Sequence, residues 1–600
     1  MSGSEAYAPI RDYALIGDGQ GCGLVSRDGS VDWLAVPVVD SPPLLARTLD
    51  SQQGGWFRIR PVGEYRSERR YLEGTMVLET TFETPTGKLR VTDALTEGFR
   101  GVLPWSELAR RVEAVEGTVE FEWELRPGSR LASVRPWAHW RNGTPFVLAG
   151  DLLSAVIADS AGDPQVDHRS VRGRAALGDG QRALIALVTS RDAPLLVSGA
   201  EDVHRRLDHT ISHWRDWSQL IDHDGPHTDA LRRSVLVLKA LSNTRTGAVA
   251  AAPTTSLPEV IGEQRNFDYR YGWVRDSSFI LDAFSGVGLT EEVDASLDWL
   301  LSGVARTAPD VRVFYKLDGM PASGEEQKIE VLDGYRGTRP VTVGNKAATQ
   351  RQIGAYGDLF GAVIRHVRHG AYLDTRTALM LAQMADQVCD EWPLPGAGIW
   401  ELGEERNYTS SLINSWSALQ VACELVDKGQ IPDTHVERWR GAAAEVHAWA
   451  DEHCWSESKR SYTFHAGTDD LDASVLLAAR TGFLAGDDPR LWSTIDAIRR
   501  ELTADGPWMY RYTGASKEEH AFICCTFWCV EALAHAGRVE EAGELLEGAL
   551  AGTNDLGLLS EEIDPSSGEL LGNFPLGLSH LAVVGAITAY TRAARGQLDQ

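Results

Sequence analysis

Three stretches far apart in the chain carry side chains suited to work on a sugar. Residues 265–276 read Arg-Asn-Phe-Asp-Tyr-Arg-Tyr-Gly-Trp-Val-Arg-Asp, dense in aromatics and in charges of both signs. Aromatic faces stack on the C–H face of a pyranose, while Arg and Asp supply donors and acceptors to neighbouring hydroxyls. Residues 398–406 hold Gly398, Ile399, Trp400 and Glu401, then Glu404, Glu405 and Arg406; residues 559–564 hold Leu559, Ser560, Glu561, Glu562, Ile563 and Asp564. Two carboxylates brought to one place match glycoside hydrolysis, which uses an acid to protonate the leaving oxygen and a base to activate water or a nucleophile. A single Glu beside a Trp is a weak signal. The weight rests on joint location, and therefore on the elements that carry these residues.

From residue 229 onward, apolar recurrence at i, i+3, i+4 and i+7 predicts twelve helical segments, or six pairs. In the fourth, Ile353, Tyr356, Phe360, Val363 and Val367 share a face. Odd-to-even connections are long, roughly 15 to 45 residues where ~2 to 8 is usual between packed helices. Even-to-odd joins are short, as at Gly288-Leu289-Thr290, Gly486-Asp487-Asp488 and Ala536-Gly537, with glycines suited to helix C-caps. Helices that alternate up and down put every long loop at the same end, so a ring of helix pairs with one working rim is expected. All three chemistry-bearing stretches fall in long loops.

The first 200 residues read differently. Alternation in residues 76–95, 119–125 and 182–190, with turn signals such as Pro85-Thr86-Gly87, predicts an antiparallel β-sandwich. Residues 202–221 read as a linking helix. The expected division is a sandwich over 1–200, a linker over 201–225 and the helical ring over 226–600. The glycine-rich stretch at 17–23 lacks a GKS or GKT ending and a following helix, so a tight turn between strands is expected rather than a phosphate loop.

Composition narrows the partners. The 600 residues hold 85 Asp and Glu against 58 Lys and Arg, a net charge of -27, which argues against nucleic acid or an anionic membrane. The start lacks a basic segment followed by an apolar one and no 18-residue apolar run follows, so a cytoplasmic, non-membrane protein is expected. Seven cysteines are sparse and unpatterned; Cys524, Cys525 and Cys529 fall in an apolar helix, without metal-ligand spacing. Rim loops and sandwich both offer contacts for a homo-oligomer, and nothing selects among them.

The chain resembles glycoside hydrolase family 15, the glucoamylase and microbial trehalase family, over essentially its whole length. The resemblance is carried by IGDGQGCGLVSRDGSVDWL at 16–34, NFDYRYGWVRDSS at 266–278, LDGYRGTRPVTVGN at 332–345, GIWEL at 398–402, FWCVEAL at 527–533 and LSEEIDPSSGELLGNFPLGLSHL at 559–581. It implies an N-terminal β-sandwich followed by an (α/α)6 barrel. It further implies Glu401 as general acid and Glu561 as general base of an inverting hydrolase, with Trp273, Arg275, Asp276, Trp400 and Arg511 around the terminal glucose. A protonated Glu401 needs a raised pKa, for which Trp400 and Glu404 are the nearest candidates. The implied substrate is a small α-glucoside: trehalose first, a maltooligosaccharide or isomaltose second, with a specialised glycoside or sugar binding alone as a further reading. No cofactor is implied for the chemistry and no metal site. A dependence on phosphate and magnesium is left open, with Asp469, Asp470 and Asp472 the nearest acidic group, though a solvated turn accounts for it. The chain departs from the family pattern at Asn407 to Leu412, at His520 and at Leu576, and His580 reads as either a satisfied histidine or a ligand contact.

Overall fold

The computed structural model describes residues 7–191 and 194–597. Two eight-stranded antiparallel sheets come first. One orders Tyr13–Gly17, Cys22–Ser26, Ser30–Ala35, Trp56–Pro61, Val119–Arg126, Val171–Leu177 and Gln165–Val166, with Leu45–Ala46 beside Ser30–Ala35. The other orders Trp137–Arg141, Thr144–Ala149, Leu152–Asp159, Arg182–Arg191, Ser106–Gly117, Gly87–Leu95, Leu78–Thr84 and Arg66–Tyr71. Period-2 alternation sets the faces: Val119, Phe121, Trp123 and Leu125 are buried while Glu120 is exposed. Fully buried Arg110 of the second sheet pairs with Asp93 at 2.7 Å and donates to the carbonyls of Gly29 and Phe57 in the first, tying the layers together.

The glycine-rich stretch at 17–23 is the turn between the first two strands, as expected. Asp18 accepts from the backbone N–H of Gln20 and Gly21, and Thr244 donates its N–H to the carbonyl of Gly19 at 2.8 Å. A Cβ at Gly19, where φ is +71°, would meet the Thr244 methyl at 2.5 Å, so this turn is shaped to dock on the helical part.

Thirteen α-helices follow among the described residues: α1 Ala200–Ser218, α2 Thr228–Leu241, α3 Val274–Gly286, α4 Thr290–Val304, α5 Gly354–Arg368, α6 Thr375–Glu391, α7 Thr409–Asp427, α8 Val436–His453, α9 Ala478–Thr481, α10 Pro489–Leu502, α11 Ile523–His535, α12 Val539–Leu550 and α13 Gly577–Ala594. The eighth expected segment is shorter than its periodicity suggests. A 3-10 turn over Ala473–Leu477, capped by Asp472, leads into α9, which Gly482 ends in the left-handed conformation.

Six of these elements form an inner ring. Helix α3 packs on α5, α5 on α7, α7 on the 473–481 segment, that segment on α11, α11 on α13, and α13 back on α3. Their sequences show why. Every residue of α11 from Ile523 to Ala534 is buried, whereas outer helix α10 buries a stripe of Leu491, Thr494, Ile495, Ala497, Ile498 and Leu502. The long connections are 242–273, 305–353, 392–408, 454–472, 503–522 and 551–576, each leading into an inner-ring element. The fold is the expected β-sandwich followed by an (α/α)6 barrel. Among the described residues, no helix is long and apolar enough to cross a membrane.

Candidate active site

Four of the long loops and the first turns of α3 and α13 supply one pocket, lined by Tyr269, Trp273, Arg275, Asp276, Trp400, Glu401, Arg511 and Glu561, with Ala251, Ile399, Phe522, Leu576 and Leu578 as its apolar wall. Every site residue expected from the sequence lines this pocket.

Each carboxylate is placed by local backbone geometry. Glu401 adopts φ +59°, unusual for a residue with a Cβ, and its carbonyl accepts from Gln350 Nε2 at 2.9 Å. Its Oε1 accepts from Trp273 Nε1 at 2.6 Å. Glu561 lies against a three-stranded ribbon formed by Ala521–Phe522, Glu562–Ile563 and Leu570–Leu571. Its Oε1 accepts from the Tyr269 hydroxyl at 2.6 Å and its Oε2 from the Asn573 N–H at 3.2 Å. Gly572, at φ +74°, leaves room for it: a Cβ there would sit 2.5 Å from the Glu561 Cβ.

Two donors into two oxygens favour the ionised form of Glu561, while Glu401 has one oxygen with a fixed donor and one available for a proton. Burial opposes ionisation at both. It pushes Glu561 up to about 8, reinforced by the charge of Glu259 and opposed by Tyr269 and the Asn573 N–H. It also raises Glu401, opposed by Arg275 and Trp273 and reinforced by Asp276. The expected role of Glu404 fails here: Glu404 is exposed and paired with Arg406 at 2.6 Å, so the like charge that acts on Glu401 is Asp276. Trp400 turns its indole N–H to Asp472, at 2.8 Å, and presents its ring to the Arg511 guanidinium at 5.3 Å.

The 265–276 stretch divides its charges between pocket and scaffold. Arg275 pairs with Asp276 at 2.7 Å and donates to the Ile399 carbonyl at 3.2 Å, inside the pocket. Asp268 and Arg270 pair with each other away from it, and Arg270 also donates to the Ser41 carbonyl of the sandwich at 3.1 Å. Tyr269, between them, reaches Glu561. Sequence reasoning misses this contact, although the position of Tyr269 in the aromatic run is the signal that could have found it.

His580 is a satisfied histidine, fully buried, with Nδ1 at 3.0 Å from Ser234 Oγ and Nε2 accepting from the Leu559 N–H; burial and Arg233 push it down to about 3. Leu576 lines the pocket; His520 does not, lying 4.0 Å from Asp564. Asp469 accepts from Ser456 and Ser458, and buried Asp472 caps the 3-10 turn, so those acidic residues are not gathered as a cation cage. Carboxylate oxygens of Glu259, Glu519 and Glu562 do lie within 4.8 Å of one another, the one such group among the described residues. Arg265 and Arg511 already bind its oxygens, a donor set that does not fit a cation.

A closed helical ring presenting two carboxylates, an Arg–Asp pair and aromatic walls in one rim pocket defines a glycoside hydrolase. Residues 225–588 match the family described as Glycosyl hydrolases family 15, and residues 1–127 match the one described as Trehalase-like, N-terminal. The chain belongs to glycoside hydrolase family 15. It is 35% identical to a trehalase of Mycolicibacterium smegmatis, covering 98% of this chain and 92% of that protein. It is 30% identical to a trehalase of Thermoplasma volcanium, covering 97% and 93%. A bacterial glucoamylase complexed with acarbose superposes with a TM-score of 0.74 at 14% identity, covering 99% of this chain and 94% of that one, which shows a shared fold.

Proposed function

We propose that the protein hydrolyses trehalose with inversion, Glu401 acting as general acid and Glu561 as general base. The observation that carries the roles is the unequal donor pattern on two carboxylates facing one pocket; the names of the full-length relatives support the substrate. Glu561 takes a proton from a water as its oxygen attacks the anomeric carbon. The bond to the bridging oxygen breaks on the opposite face, and Glu401 donates its proton there. Trp273, Arg275, Asp276, Trp400 and Arg511 hold the reacting glucose. The attacked ring leaves as β-glucose and the other as α-glucose. In this reading residues 1–200 form the sandwich, 201–225 the linker and 226–600 the catalytic barrel.

Proton NMR of trehalose with the protein should give equal initial α- and β-glucose, and Glu561→Gln or Glu401→Gln should lower turnover by ~10²- to 10⁴-fold or more while sugar binding persists. Two α-glucoses at first appearance would contradict inversion. Turnover of maltotriose or isomaltose with trehalose untouched would keep the roles and replace the substrate. Acid–base chemistry of this kind needs no cofactor. The finer dependence on phosphate and magnesium is decided by the same assay after dialysis against chelator, with each added back.

A further inference from the structure

Behind Glu561 lies a buried charge cluster that the reaction does not explain. Glu561 faces the sugar pocket and its neighbour Glu562, on the three-stranded ribbon, accepts the His520 N–H at 3.0 Å. The cluster holds three carboxyl groups, Glu259, Glu519 and Glu562, exposed by no more than 4%. Two guanidiniums meet them: Arg265 binds Glu259 and, at 3.0 Å, Glu519, while Arg511 binds both oxygens of Glu519. Arg265 also reaches the exposed Glu518 at 3.8 Å. Glu562 Oε1 is buried with no hydrogen-bond partner, and a carboxylate oxygen of Glu562 lies within 4.8 Å of one from Glu259 and one from Glu519. Three negative charges against two positive leave one in excess, and carboxylates this close repel unless one of them is protonated. The guanidiniums bind Glu259 and Glu519 but leave Glu562 Oε1 without a donor, so Glu562 is the group placed to carry it.

We propose that Glu562 is held as the neutral acid within the cluster it forms with Glu259 and Glu519, and that this buried cluster is a positioning set governing how tightly Glu561 holds its own proton. Burial, then Glu259 and Glu519, raise the proton affinity of Glu562, and Glu259 is the charge that acts most strongly on Glu561. Tyr269 on the pocket side opposes it, and Arg511 joins the two sides by bordering both cluster and sugar pocket. The part concerning Glu561 rests on its proposed role as base.

Infrared spectra of the ligand-free protein at neutral pH test the proton directly. The wild type minus Glu562→Gln difference should show the loss of one protonated-carboxyl carbonyl band; no such loss overturns the proposal. A raised folded-state proton affinity makes stability greatest below the unfolded pKa and lost as pH rises toward the folded one. The wild-type melting temperature should therefore fall with rising pH more steeply than that of Glu562→Gln. An equal loss in Glu562→Gln at acid and alkaline pH, or a magnesium-dependent rise in melting temperature that this variant abolishes, would mean an ion pair or a cation instead. Glu259→Gln should move the acid limb of kcat/KM to lower pH by about half a unit or more; an unmoved limb overturns the coupling to Glu561. The infrared and melting experiments use no substrate, so their outcome holds whichever sugar the protein hydrolyses.

Discussion

In the proposed mechanism Glu561 and Glu401 carry opposite demands in similar surroundings, and the side chains that separate them are Tyr269 and Trp273. Tyr269→Phe removes one of the two donors that favour the Glu561 carboxylate, so its proton affinity rises further. The acid limb of the kcat/KM profile should move to higher pH and turnover at pH 6 should drop by ~10-fold, a shift of one unit being about 1.4 kcal/mol. Because burial already lifts Glu561 to about 8 in the free protein, the wild-type profile should lose activity as pH falls from neutral toward 5. A peak below pH 5 would contradict that reading. At this scale the sequence identifies the groups and misses their company. Glu401 and Glu561 stand in recognisable motifs, but a hydrogen bond across 292 positions, from Tyr269 to Glu561, is a product of ring closure that no local pattern encodes. The same holds for Asp268 and Arg270, indistinguishable in type from Asp276 and Arg275 yet committed to the scaffold.

The loops that hold these groups depend on a few backbone positions. Gly572 is the clearest, since its positive φ and the 2.5 Å approach of a would-be Cβ both exclude a larger residue. Gly572→Ala should displace Glu561, lowering kcat by ~10-fold or more and stability by ~1 to 3 kcal/mol, measured by steady-state kinetics and thermal melting. Element order is legible because long and short connections alternate and inner helices are apolar on nearly every side. The eighth segment is the exception: its apolar spacing is real, but Gly482 stops it after one turn. Connection 305–353 exceeds the expected length because it holds the short strands Phe314–Tyr315, Gln327–Ile329 and Val341–Val343. Isolated short strands carry little periodicity and are poorly visible to pattern reading.

Sandwich and barrel meet through specific polar contacts as well as apolar surface. Arg69 pairs with Asp555, and Asn554 donates to the carbonyls of Arg11 and Tyr13. Arg270 ties the sugar-facing loop to Ser41. Replacing Arg270 by Met should cost ~3 to 5 kcal/mol, because Asp268 would be left charged and buried without its partner. Since that loop also holds Tyr269 and Trp273, activity should fall with stability when both are followed across a urea titration. The ring has a consequence in time as well as in space. Its last inner member, α13, lies against its first, α3, and Glu561 lies in the connection that leads into α13. During synthesis Trp273, Trp400 and Glu401 leave the ribosome long before Glu561, so on the proposed roles the nascent chain carries an acid and a binding surface but nothing to activate water. With Glu561 as the proposed base, hydrolysis begins only when the final helix seats, which makes enzymatic activity a readout of completed assembly.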